Sequence, residues 1–126
     1  MSKILIVGLG GFLGSIARYG LQGLVQRRMN SPFPFGTLAV NVLGCLAIGV
    51  VIHLVEDRSM VGPNGRLFVA VGILGGFTTF STFGYETYEL LKDGDFLRGA
   101  MNAACSVFLG LLAVWVGRTL PRFIGM

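Results

Sequence analysis

GGFTTFSTFGYE, residues 75–86, lies inside a hydrophobic stretch but differs from its surroundings. Gly75 and Gly76 loosen a helix; hydroxyls follow them, and Phe80 and Phe83 stand three residues apart. The enclosing stretch, residues 67–85, contains no Asp, Glu, Lys or Arg. That approaches the roughly 20 residues needed to cross a bilayer as a helix. Two further stretches, 29–55 and 99–117, are also free of charged side chains, and an apolar run from Ile4 is interrupted only by Arg18 before Arg27 and Arg28.

Only 13% of the 126 residues are charged and 53% are hydrophobic, whereas ordinary soluble domains carry about 25% charged residues. The reading is an all-α integral membrane protein: one domain, 1–126, of four transmembrane helices, with a break in the third. The expected spans are 4–25, 36 or 37 to 55, about 66 toward 91, and about 96 to 120, ending before Pro121. Turn-forming residues, Ser31 to Pro34 and Gly62 to Gly65, make the connections short, so no soluble domain is left to carry separate chemistry. Lys3 ahead of an apolar run would also suit a secretory signal, but small residues continue to Arg18 without a cleavage-like site. Cys45 and Cys105 fall inside spans, where thiols serve as small apolar side chains. The net charge of +4 comes from basic residues scattered among short loops, which suits lipid headgroups and not nucleic acid.

Basic residues near span ends set orientation. Lys3, Arg58, Arg66, Arg118 and Arg122 lie at one end, and Arg27, Arg28, Lys92, Arg98 and the more deeply placed Arg18 toward the other. Five against five is no bias, so copies inserted in opposite senses could pair as an antiparallel, dual-topology homodimer.

No catalytic set is present, and no enzyme class is supported. His53 is the only histidine, has no partner at metal-ligand spacing, and is expected as an interface side chain. Gly8, Gly10, Gly11 and Gly14 do not fit a dinucleotide loop; close helix packing accounts for them better. The informative polar groups lie inside the spans. Thr37, Asn41 and Cys45 share one helical face, Asn102, Ser106 and Gly110 another, and Phe80 and Phe83 a third that reaches Glu86 and Thr87. Any single hydroxyl is adequately explained as helix glue, at about 0.6 kcal/mol on average. Three coordinated stripes point to the lining of a path.

Asn, Ser and Thr supply hydrogen-bond donors, and the phenyl edge is the positive end of the ring quadrupole. With no acids in the centres of spans one, two and four, such a lining favours a small anion. Arg18 would add positive potential near a mouth, and Glu86 suits a wet vestibule at the end of span three. The glycines at 75 and 76 can interrupt their helix, and carbonyls freed at membrane depth must be satisfied by protein, water or an ion.

Three motifs together, GxxxR at 14–18, GTLAVN at 36–41 and GGFTTFSTF at 75–83, resemble the Fluc fluoride channels, also called the CrcB family, and the resemblance covers essentially the whole chain. It implies an antiparallel dual-topology homodimer in the cell inner (plasma) membrane, with two fluoride pores for passive export that relieves toxicity. It also implies a structural Na⁺ at the dimer centre, held by backbone carbonyls of Gly75 and Thr78 from both subunits. Phe80 and Phe83 would face fluoride, with Asn41 beside them, Ser106 as a lining serine, and Thr37, Thr79 and Thr82 on a polar track. Glu86 matches an acidic position near a pore end. Asn102 and Gly110 depart from the family pattern, since relatives can carry an aromatic or histidine at one and a serine at the other.

The competing reading is a small dual-topology exporter resembling the small multidrug resistance proteins. Those rely on an acidic group deep in the first span, where this chain has Arg18. A third possibility is a non-transporting subunit whose stripes pack against a larger partner.

Overall fold

A long apolar segment in lipid satisfies its backbone groups internally as a helix. The computed structural model, which describes residues 2–125, is helical, with no strand among those residues. The elements are α1 (Lys3–Met29), α2 (Phe35–Ile52), α3 (Pro63–Arg66), α4 (Leu74–Phe77), α5 (Phe80–Lys92) and α6 (Phe96–Phe123). Two wider, π-helical turns complete them: His53–Asp57 prolongs α2, and Leu67–Ile73 joins α3 to α4. Four segments are long and apolar enough to cross a membrane: Lys3–Met29, Phe35–Asp57, Pro63–Lys92 and Phe96–Phe123. They agree with the expected spans to within about four residues, extending beyond them at every end except the start of the fourth, because helical hydrogen bonding continues past the last apolar side chain. Pro121 does not end α6; it lies within one turn of the helix end, where the single bond it removes, to the Gly117 carbonyl, disturbs little.

The third span is broken, but not at its glycine pair. Gly75 and Gly76 stay helical in α4, and the chain turns extended at Thr78 (φ −90°, ψ 156°) and Thr79 (φ −149°, ψ 116°). Gly76 serves close packing instead, since a Cβ there would stand 2.6 Å from the Gly11 carbonyl oxygen.

Small residues set the helix contacts. On α1, a Cβ at Gly10 would lie 2.9 Å from the Gly72 Cα, and one at Gly14 3.0 Å from the Phe77 nitrogen, whereas Gly8 faces open space. Gly49 and Gly117 bring α2 and α6 together in the same way. His53, near the end of the second span, is buried within the protein and not exposed on its surface: it is 2% exposed, and its Nδ1 is 2.9 Å from the Asp57 Oδ2. Asp57 also pairs with Arg118 and Arg122, and Glu56 with Arg118, so an ionic cluster ties the end of α2 to that of α6. At the opposite end Asp95 caps α6, accepting from the Arg98 N–H at 3.1 Å and from its guanidinium at 2.7 Å. The backbone bond above all holds its carboxyl below the usual carboxylate range.

Candidate functional site

A helix that stops leaves its last carbonyls without donors, and inside a membrane each needs a partner. The Leu74 carbonyl accepts from both the N–H and the hydroxyl of Thr78, each at 3.0 Å. The Gly76 carbonyl accepts from Arg18 Nε at 3.0 Å. Arg18 therefore turns into the break, not toward the end of its helix.

Asn41 braces the extended segment from α2. Its Nδ2 donates to the Thr79 carbonyl at 3.0 Å, and its Oδ1 accepts from the Thr79 N–H at 2.7 Å. The Thr79 hydroxyl then caps α5, accepting from the Thr82 N–H at 3.2 Å and donating to the Thr82 hydroxyl at 3.1 Å. These commitments have a consequence for Gly75 and Thr78. The Thr79 N–H would have served the Gly75 carbonyl in a continuous helix, and the Thr82 N–H that of Thr78. Both carbonyls lose those donors. They are hard, neutral oxygens on a broken membrane helix, a donor type suited to an alkali cation.

Beside the break is an open cleft of about 410 Å³ that brings together Asn41, Gly75, Thr78, Thr79, Phe80, Phe83 and Ser106. Gly44 and Cys45 of α2 form part of its wall. The Phe80 and Phe83 rings lie 5.5 Å apart, tilted by 46°, and Phe80 is 82% exposed in the single chain. Ser106 Oγ is buried and has no hydrogen-bond partner among the described residues.

Thr37, Thr82, Arg18 and Glu86 do not line this cleft. Thr37 and Glu86 form a second polar group nearer the start of α2. The Thr37 hydroxyl donates to Glu86 Oε1 at 2.8 Å and accepts from Gln22 Nε2 at 3.0 Å. Glu86 Oε2 is buried without a partner among the described residues. The stripe of α6 splits as well: buried Asn102 donates to the Thr87 hydroxyl at 2.9 Å, while Gly110 packs on Cys45.

Two glutamines escaped the sequence reading. Gln22 joins the Thr37–Glu86 pair, and Gln26 orders the α1–α2 turn through the Ser31 and Phe33 carbonyls and the Gly36 N–H. Their signal was present, as two amides four residues apart in a largely apolar helix.

Residues 5–118 match the family described as "CrcB-like protein, Camphor Resistance (CrcB)". The chain is 47% identical to a protein of Nitratidesulfovibrio vulgaris over 98% of this chain and 100% of the relative. It is 50% identical to one of Opitutus terrae over 93% and 90%, and 47% identical to one of Solibacter usitatus over 95% and 98%. Each of these relatives is named a fluoride-specific ion channel FluC.

Proposed function

The chain belongs to the CrcB-like family, and from that premise we propose that it is a fluoride channel which lets the ion leave the cell passively across the plasma membrane. Its work is conduction, not catalysis. The observation that carries this reading is the unpartnered Ser106 hydroxyl on a cleft shared with Phe80 and Phe83. A buried hydroxyl without a partner costs about 1–3 kcal/mol, and a small anion would recover that bond. Phenyl edges supply further positive potential without the strong binding that would trap the ion.

The conducting unit is an antiparallel homodimer of oppositely inserted copies. Its support is the balance of basic residues at the two ends and a cleft open on the side where Phe80 and Gly75 are exposed. A second copy would close that side. The carbonyls of Gly75 and Thr78 suit a shared Na⁺, which would supply a fixed positive charge at the centre of the dimer. Asn41 acts as the brace of the break, with its remaining amide proton available to the path. Thr37, Thr79, Thr82 and Glu86 extend the polar track toward the end of α5, and Arg18 adds its charge at the break. The drug-exporter alternative is disfavoured by the family match and by Arg18 standing where such a carrier needs an acid.

Reconstitution in liposomes, with fluoride and chloride release followed by ion-selective electrodes, tests the reading. Fast fluoride release without chloride is expected; no fluoride release from folded protein would overturn it.

A further inference from the structure

Lys3 opens the first span, Asp57 closes the second and Pro63 opens the third, all at one end of the bundle. Between these span ends lies a second cleft of about 490 Å³. Val55, Val61, Leu67 and Val71 form its apolar wall, and Lys3 and Arg66 stand with them as its only cations among the described residues. Because span ends meet the interface, those two cations sit at headgroup depth and the wall below them faces the start of the acyl region.

Neither cation has a carboxylate partner among the described residues. Glu56 and Asp57, the acids at this end, are held by Arg118, Arg122 and His53. Two uncompensated positive charges over an apolar groove match one chemistry well. We propose that this cleft binds an anionic phospholipid, its phosphate between Lys3 and Arg66 and an acyl chain along Val55, Val61, Leu67 and Val71. Inorganic phosphate would answer the cations but leave the wall uncovered. A zwitterionic lipid would cover the wall but bring a third cation to the rim. Anionic headgroups meet both demands, and basic pockets between membrane helices are suited to them.

Native mass spectrometry of the purified, delipidated protein tests this, with phosphatidylglycerol, phosphatidylcholine and inorganic phosphate as probes. Saturable binding of phosphatidylglycerol is expected, with much weaker binding of phosphatidylcholine and no competition from phosphate. Replacing both Lys3→Gln and Arg66→Gln should weaken phosphatidylglycerol binding roughly 25-fold, the effect of two interfacial cations. Val61→Trp, which fills the groove and keeps both cations, should also weaken it. Arg27→Gln with Arg28→Gln, at the opposite end, should leave it unchanged. Equal binding of the two lipids, full competition by phosphate, or unchanged affinity in either cleft variant would overturn the proposal. The readout is lipid occupancy, so it is independent of whether fluoride passes.

Discussion

Asn41 grips the backbone of Thr79 from both sides, donating to its carbonyl at 3.0 Å and accepting from its N–H at 2.7 Å. One amide side chain thus does what a neighbouring strand would do for an extended residue, and it does so where the helix of the third span has stopped. The brace frees the Gly75 carbonyl and positions the Thr79 hydroxyl to cap α5.

Asn41→Asp removes the Nδ2 donor and leaves a carboxylate opposite the Thr79 carbonyl. Fluoride efflux should fall at least about tenfold, and stability by about 1–3 kcal/mol, the cost of an unsatisfied buried polar group. Efflux assays paired with thermal unfolding in detergent separate the two effects, and a wild-type rate would remove Asn41 from the path.

Ser106→Ala should behave in the opposite way. Its hydroxyl has no partner to lose among the described residues, so thermal stability should hold or rise, while fluoride efflux falls several-fold. A normal rate in a well-folded variant would leave the hydroxyl without a role in conduction.

Phe80→Ile probes the ring edge. Phe80 is 82% exposed in the single chain, so the helix bundle should tolerate the change. Slower fluoride efflux is expected while the proposed dimer still forms, as read by size-exclusion chromatography and cross-linking.

Gly14→Ala and Gly75→Ala form a contrasting pair. A Cβ at Gly14 would overlap the Ile73 carbonyl, and Gly14→Ala should lower stability by about 1–3 kcal/mol. Gly75 is helical with nothing within 4 Å of an added Cβ, so the single chain should gain about 0.5–1 kcal/mol from Gly75→Ala. Any loss of efflux in that variant would then point to the proposed dimer centre, and unimpaired efflux would count against close contact there.

Replacing Na⁺ by K⁺ on both sides of the membrane should reduce efflux if the carbonyls of Gly75 and Thr78 hold Na⁺. The comparison is made after prolonged dialysis, because an ion held between two subunits, as proposed, would exchange slowly. An undiminished rate in Na⁺-free buffer would count against the site.

Much of this protein is legible from its residues alone. Three charge-free stretches of about bilayer length, and a fourth apolar run interrupted only by Arg18, specify four helices, because lipid leaves the backbone no other partner. The motif at 75–83 points to a broken third helix, since paired glycines loosen a helix and the hydroxyls after them can bond freed backbone groups, and its resemblance to known sequences points to the family. The tertiary structure decided where those groups point. It set the break at Thr78 and Thr79, because only there does Asn41 reach across from α2 to replace the helical bonds. It turned Arg18 inward to the Gly76 carbonyl and separated Thr37 and Glu86 from the cleft that holds Ser106, Phe80 and Phe83. Helical periodicity puts residues on a common face, but which groups on that face meet depends on how closely the neighbouring backbones approach, and glycines such as Gly10, Gly14 and Gly49 set that distance.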